Sequence, residues 1–218
     1  MNELQSLAAK IMGKEDALLV TSGTQGNLVS LMAQTNHGDE IILEQEAQEA
    51  VALDKDAKEF TKYVDSVMFC LSKGLAAPIG SLVVGSSEFI EKARKIRKMF
   101  GGGLQQAGII AAPSSVALKT MIPRLKEDHE NAKILAHALV KHEEFKIDLE
   151  TVQTNMIFGH FVSNNLNAYQ LAKELQKYRI KIGAYSRTQI RLVTHYGITS
   201  DDIKFVIDII DKILSKTT

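Results

Sequence analysis

Apolar residues in the first half of the chain form short continuous runs separated by stretches with helical spacing. Continuous runs of four to eight apolar residues are typical of buried strands, whereas apolar residues at i, i+3, i+4 and i+7 predict amphipathic helices. The predicted strands lie at residues 17–20, 40–43, 67–71 and 78–85, the last opened by a turn. The predicted helices lie at residues 2–12, 28–32, 44–58 and 88–99. We therefore predict an α/β protein.

The second half reads as a separate α+β block. A helix over residues 125–142 precedes it, and predicted strands lie at residues 153–161, 180–182 and 189–193. Asn167 is a predicted N-cap for a helix over 168–177, and Thr199 with Asp202 resembles a capping box before the last helix, 202–214. The sequence thus predicts a shortened large domain over residues 1–118 and a small C-terminal α+β domain over 119–218.

Three local features qualify this outline. The helix over 88–99 is basic and amphipathic, and we assign Arg97 and Lys98 to its solvated face. Gly101–Gly103 ends it with a backbone that can approach a neighbour closely. Pro113 predicts a kink or a helix start rather than a helix interior.

At the N-terminus, Asn2 is the predicted cap and Gly13 the predicted stop of the first helix.

Composition narrows the class of protein. The 218 residues include 26 basic and 26 acidic side chains, which gives no electrostatic case for binding nucleic acid or an anionic membrane. No apolar run has the length of a membrane span, and Met1–Leu4 lacks a signal pattern. The single cysteine, Cys70, excludes an internal disulfide and suits a reducing compartment. Scattered histidines do not predict a metal site. We expect a cytoplasmic protein.

A glycine- and hydroxyl-rich loop, Ser22–Asn27, joins the strand at 17–20 to the next helix. Such a loop presents backbone N–H groups and hydroxyls at a helix N-terminus, where the helix dipole favours an anion. It matches neither the dinucleotide fingerprint nor the Walker A loop. By spacing alone, two interpretations remain open: a phosphate site and an ordinary capped helix start.

Lys73 follows the apolar strand at 67–71 in the sequence Ser66–Gly74. A lysine at the mouth of an apolar strand can be held partly out of water, which favours the neutral amine needed to attack a carbonyl carbon. The competing interpretation is that Lys73 simply ends the strand in solvent.

Four features together point to one chemistry: the loop at 22–27, Lys73, the glycine turn at 101–103, and Arg191 on a strand of the second block. A phosphate cradle, an amine, a flexible loop and a carboxylate partner are what a pyridoxal-phosphate enzyme acting on an amino acid requires. Four segments resemble low-specificity L-threonine aldolase in their residues and in their order along the chain: SGTQGN, FCLSKG, RKMFGGG and RLVTH. The resemblance covers nearly the whole chain.

This resemblance implies fold type I of the pyridoxal-phosphate enzymes, with a three-layer large domain, and a homodimer or homotetramer. It implies that Lys73 binds pyridoxal 5'-phosphate covalently and that Ser22, Gly23 and Thr24 hold its phosphate. It further implies that Arg191 binds the substrate carboxylate, a task that suits a guanidinium. Lys98 matches a basic residue beside the substrate.

The chain also departs from the family pattern. Only 51 positions separate Ser22 from Lys73, and the pattern jumps near Gln48–Glu49. We expect the family's N-terminal segment before Asn2 to be absent, and Gln105 stands where an arginine is usual. The jump omits the histidine that stacks on the cofactor ring and the aspartate that pairs with its ring nitrogen. Such preorganised groups are commonly worth about 10²–10³ in rate.

Three functional hypotheses remain open. The first is a carbon–carbon lyase that cleaves L-threonine or L-allo-threonine to glycine and acetaldehyde, for which His195 is a candidate base with a competing structural role. The second is an inactive remnant that binds the cofactor or dimerises without turnover. The third is another fold type I activity, such as β-elimination or amino transfer.

Overall fold

The computed structural model describes residues 1–35, 52 and 54–216. The predicted strand at 40–43, most of the helix predicted over 44–58, and the jump near Gln48–Glu49 lie outside the described residues. Contacts divide the chain into two compact units, Met1–Arg124 and Leu125–Thr218. The domain boundary predicted at residue 118 stays a prediction.

The first unit alternates helices and strands, as the sequence predicts. Its described elements are α1 (Asn2–Met12), β1 (Asp16–Val20), α2 (Gly23–Gln34), α3 (Ala57–Thr61), β2 (Val67–Cys70), β3 (Ser81–Gly85), α4 (Ser87–Met99) and α5 (Gly108–Thr120). Gly13 ends α1 in the left-handed conformation at φ 64°, which confirms the predicted stop. The predicted cap, Asn2, is wrong because Asn2 is the first residue of the helix. The N-cap is Met1, whose side chain makes no capping hydrogen bond.

The described strands of this unit form a sheet in the order β1-β3-β2. β3 is antiparallel to both of its neighbours, so β1 and β2 run parallel to each other. Each described pairing in this sheet therefore involves β3 and is antiparallel. The reason is local: β2 and β3 are joined by the loop at 71–80 without a crossover helix, and a short connection reverses the chain.

Helices cover both faces of this sheet. α1 packs on β1 and β3, with α5 against α1, while α2 and α4 pack together on the other face. The second face forms one apolar cluster, whose buried members are Leu18, Val20, Val29, Val83, Phe89, Ile90 and Ala93. Alternate residues of β1 serve the two faces, as the pleat requires. The result is the three-layer arrangement that the sequence predicts.

Pro113 corrects one sequence prediction, because it lies inside α5 rather than at a kink or a start. A proline within a helix leaves the carbonyl of the residue four positions earlier without its helical donor. That residue is Ile109, whose side chain is 83% exposed, so water can reach this side of the helix. The helix therefore continues to Thr120.

The second unit packs three helices against one antiparallel sheet. Its elements are α6 (Leu125–Leu139), β4 (Phe145–Lys146), a 3-10 turn (Leu149–Thr151), β5 (Met156–Phe161), α7 (Ala168–Gln176), β6 (Gly183–Ala184), β7 (Gln189–Val193) and α8 (Ser200–Leu214). The sheet order is β4-β5-β7-β6. The strand predicted at 180–182 is wrong in position, since pairing with β7 begins only at Gly183, opposite Arg191.

Both predicted caps of this unit are confirmed. Asn167 accepts from the Gln170 N–H at 3.1 Å, and the Gln170 side chain accepts from the Asn167 N–H at 2.8 Å. Thr199 and Asp202 form the equivalent box at the start of α8. The capped helices cover one face of the sheet, while Met156, Phe158 and Val193 on the other face are exposed.

Candidate functional site

The loop between β1 and α2 has the geometry of an anion site. Ser22 caps α2: its hydroxyl accepts from the Gln25 N–H at 3.1 Å, and its carbonyl accepts from the Gly26 N–H at 3.0 Å. Among the described hydrogen bonds, none engages the N–H groups of Gly23 and Thr24, which open the helix. These donors and the positive end of the helix dipole favour a negative group at this position.

Two glycines bring the start of α2 against β2. A Cβ built on Gly23 would lie 2.9 Å from the Sγ of Cys70, and one built on Gly26 would lie 2.7 Å from the Cγ of Met68. Real Cβ atoms do not approach sulfur or carbon so closely, so a side chain at either position would push the helix away from the strand. Glycine thus allows the loop at Ser22–Asn27, called the anion loop below, to lie beside the end of β2.

Lys73 lies three residues beyond the end of β2. The loop is fixed by its backbone: the Ala76 N–H donates to the Lys73 carbonyl at 2.9 Å, and the Leu71 N–H donates to Gly80 at 3.0 Å. The Lys73 side chain is exposed, which favours the second interpretation of this stretch, a lysine that lies in solvent beyond the strand end. The strand ends at Cys70, and the bend that follows turns Leu71, Gly74 and Leu75 inward instead.

The two loops emerge from the same edge of the sheet. Val20 and Cys70 both pair with Ser81, so the parallel strands β1 and β2 end side by side with one strand between them. Neighbouring strands are about 4.8 Å apart, which places the two strand ends about 10 Å from each other. The structure therefore brings the loop of Ser22–Thr24 and the loop of Lys73 together.

The glycine turn after α4 also reaches this loop. A Cβ on Gly102 would lie 2.5 Å from the Nε2 of Gln25, and the Gln25 side-chain oxygen accepts from the Thr21 N–H and hydroxyl, each at 3.0 Å. Lys98 lies in the last turn of α4 and is exposed, and its carbonyl accepts from Gly101 at 3.1 Å. The predicted role of Lys98 stays a prediction.

Arg191 lies in the second unit, at the centre of β7, where it pairs with Phe158 on one side and Gly183 on the other. Its guanidinium carbon lies 5.2 Å from the ring centroid of Tyr185. The Nε of Arg191 is buried and has no hydrogen-bond partner. A buried donor without a partner is costly, and a carboxylate is the acceptor that suits a guanidinium best.

His195 follows β7 and is exposed. Its Nδ1 lies 2.8 Å from the Tyr196 carbonyl oxygen, which can only accept, so the proton is assigned to Nδ1 and Nε2 remains the acceptor. This is the tautomer that a general base requires, although the same contact also suits a structural role.

The predicted position of Arg97, on the solvated face of α4, is wrong. Arg97 is only 5% exposed. Its spacing carried the missed signal, because Arg97 lies seven residues after Ile90 and four after Ala93, both buried on the same face.

Three carboxylates in the described part of the first unit lie away from this edge. Glu15 precedes β1, Asp16 is the first residue of β1, and Asp65 precedes β2, so all three lie at the opposite edge of the sheet. Within the described residues, no group of three or more acidic, histidine or cysteine side chains has a metal-binding arrangement. The described helices are all too short or too polar to cross a bilayer.

Comparison with known families gives one clear match. The family model for beta-eliminating lyases matches residues 1–49 and 46–161. The break between the two matched segments falls where the sequence predicts the jump, near Gln48–Glu49.

Two curated relatives are named as low-specificity L-threonine aldolases. The chain is 40% identical over 159 residues to low-specificity L-threonine aldolase 1 of Arabidopsis thaliana, covering 72% of this chain and 44% of the relative. The chain therefore spans about half the length of that protein. It is 29% identical over 292 residues to the Escherichia coli K12 protein, covering 93% of this chain and 86% of the relative. That alignment is longer than the 218 residues of the chain, so many of its positions have no counterpart here.

A solved structure, that of a proposed L-allo-threonine aldolase from Listeria monocytogenes, matches with a TM-score of 0.76 at 16% identity. The match covers 97% of this chain and 86% of that one. At this identity the likeness shows the fold alone. It confirms the predicted fold class, the fold type I architecture with its three-layer domain and small α+β domain.

Proposed function

The chain belongs to the beta-eliminating lyase family, and on that premise we propose that it is a pyridoxal-phosphate-dependent aldehyde-lyase. Its substrates are L-threonine or L-allo-threonine, which it cleaves to glycine and acetaldehyde. Its relatives named as low-specificity threonine aldolases support this substrate class.

The observation that carries the proposal is the shared sheet edge. The open N–H groups of Gly23 and Thr24, with the hydroxyls of Ser22 and Thr24, fit a phosphate at the N-terminus of α2. The strand end before Lys73, Cys70, lies about 10 Å from Val20 across β3, so we propose that one ligand with a phosphate and an aldehyde contacts both loops. When bound, pyridoxal phosphate supplies an electron sink for the carbon–carbon cleavage.

Arg191 is the proposed substrate-carboxylate residue. The orphaned Nε and the planar guanidinium allow two parallel hydrogen bonds to one carboxylate. The guanidinium lies over the Tyr185 ring, a cation–π contact that favours this position of the charge. Lys98 is proposed as a further substrate contact, and the Nε2 of His195 as the acceptor for the β-hydroxyl proton.

One observation favours a second candidate function, a cofactor-binding remnant without turnover. The carboxylates that flank the described strands, Glu15, Asp16 and Asp65, lie at the edge of the sheet opposite Lys73. A ring-nitrogen carboxylate therefore does not come from these strand ends, and without it the carbanion is poorly stabilised.

The experiment that tests both functions is a visible absorbance spectrum of the purified protein with added pyridoxal phosphate, followed by borohydride reduction and peptide mapping. The enzyme proposal expects an adduct at Lys73, absent from K73A, and acetaldehyde release from L-threonine. An adduct at Lys73 without acetaldehyde would support the remnant. An adduct spread over surface lysines in both proteins would contradict both proposed functions.

Two further proposals concern the assembly and the cellular location of the protein. We propose a homodimer or homotetramer, to be tested by sedimentation at several protein concentrations. We propose a cytoplasmic location, because the free Cys70 suits a reducing compartment.

A further inference from the structure

Arg97 is a charged residue on the buried face of α4, beside the apolar residues Ile90 and Ala93. Its neighbours Lys95 and Lys98 on α4 are exposed, whereas Arg97 is only 5% exposed. Burial lowers the pKa of the Arg97 guanidinium, and the nearby charge of Arg94 lowers it further. Arginine nevertheless stays charged at neutral pH. The protein therefore holds a full positive charge beneath its surface.

Nothing in the described part of the chain neutralises this charge. The ion pairs found among the described residues do not include Arg97, and its Nε is buried without a hydrogen-bond partner. By contrast, Arg94 lies one turn earlier on the same helix and contacts both Asp16 and Glu91. A buried charge that faces no opposite charge is strongly unfavourable, so an anion beside Arg97 would stabilise it.

The contacts of Arg97 all lead toward the anion loop. Its Nη1 donates to the carbonyl of Leu19, three residues before the cap of α2. A Cβ built on Gly102 would lie 2.9 Å from the Cγ of Arg97 and 2.5 Å from the Nε2 of Gln25, so this glycine lies close to both side chains. Gln25 in turn holds the N–H and hydroxyl of Thr21, at the base of the loop. Arg97 thus connects the end of β1, the glycine turn and the first turn of α2.

We propose that Arg97 is a positioning residue for the anion loop and that its buried charge sets the preference of this loop for a dianionic phosphate. The bond to Leu19 holds the end of β1, and the backbone of Gly102 lies close to both Arg97 and Gln25. Leu19 is four residues before Gly23, which carries the first open N–H of α2, so the charge of Arg97 acts at the same end of this helix as the helix dipole. This inference rests on the proposed function, since it assigns the phosphate to the same loop.

The test compares R97Q, R97K and R94Q with the unaltered chain. R94Q is the matched control, because it removes a charge from the same helix at a site that is paired and more exposed. The first readout is the melting temperature in rising inorganic phosphate, compared with sodium chloride at equal ionic strength. The second is the apparent affinity for pyridoxal phosphate and for pyridoxal, which lacks the phosphate, with K73A as background.

We expect phosphate to raise the melting temperature of the unaltered chain and R94Q, but not that of R97Q. We expect R97Q to bind pyridoxal phosphate roughly tenfold more weakly, the order of effect of one partly desolvated charge several ångströms away, while pyridoxal binding is unchanged. R97K keeps the charge but loses the planar guanidinium, so its phosphate-induced rise in melting temperature should lie between those of the unaltered chain and R97Q.

Contrary outcomes separate the two proposals. A phosphate response in R97Q equal to that of the unaltered chain overturns the role of Arg97, as does an equal loss of pyridoxal and pyridoxal phosphate binding. No phosphate response in the unaltered chain overturns it as well. A response that depends on Arg97 without an adduct at Lys73 overturns the proposed enzyme and leaves the phosphate site standing. Should R97Q fail to fold, a smaller phosphate response in R97K than in R94Q supports the role of Arg97, and an equal response overturns it.

Discussion

Gly23 is the residue at which the anion loop touches the end of β2. An alanine there places its Cβ 2.9 Å from the Sγ of Cys70, so we expect G23A to destabilise the protein by about 1–3 kcal/mol, the usual cost of overpacking. Removing the sulfur makes room, so G23A/C70A should lose less stability than the two single variants added together. Urea unfolding of all four proteins measures this coupling.

The control for this prediction is G103A. A Cβ on Gly103 meets no atom within 4 Å, so G103A should change the free energy of unfolding by less than about 0.5 kcal/mol. Additive losses in G23A and C70A would show that the sulfur does not restrict position 23.

His129 is a buried titratable group outside the candidate site. Burial lowers the pKa of His129 below its ordinary value of 6.5, with Asp128 opposing this effect and Lys133 adding to it. The unfolded chain therefore takes up a proton at higher pH than the folded protein, and stability falls as the pH drops below about 6.5. We expect the urea midpoint to be lower at pH 5.5 than at pH 7.5.

The variant H129Q removes this titration and should reduce the difference between the two pH values. H137Q, at an exposed position on the same helix, should leave the difference unchanged. An unchanged difference in H129Q would mean that other groups cause the acid sensitivity.

At the scale of elements, the cap of α7 offers a sharp prediction. Asn167 and Gln170 satisfy two N–H groups reciprocally, so N167A should cost about 1 kcal/mol of unfolding free energy. K173A, at an exposed position of the same helix, should be close to neutral. Urea unfolding compares the two, and equal stability of N167A and K173A would contradict the cap's contribution.

Sequence patterns predicted most elements because periodicity and caps are local. The boundaries of α1, α4 and β7 follow directly from apolar spacing. The antiparallel direction of β3 follows from its short connection to β2, whereas the order β1-β3-β2 was not predictable, because pairing depends on partners distant in sequence. For Lys73 the sequence left burial and exposure open, because the outcome depends on how the loop after β2 folds. The burial of Arg97 was missed although its spacing places it on the buried face, because an arginine side chain is ordinarily solvated.

The whole molecule consists of two units, and the second has its own apolar core. Eighteen buried apolar residues cluster there, including Phe161, Leu171 and Ile190. We expect residues 125–218 expressed alone to unfold cooperatively in urea, followed by circular dichroism. L171A, at a fully buried position, should lose about 2–5 kcal/mol. A gradual transition in the unaltered fragment would show that this core is not sufficient.

The shared partner strand has a consequence for how the chain tolerates changes in length. β1 and β2 are aligned through Ser81 and do not pair with each other, so the segment between them does not determine their register. A change in the length of that segment therefore leaves the two strand ends, and with them the loops of Ser22 and Lys73, at one edge of the sheet.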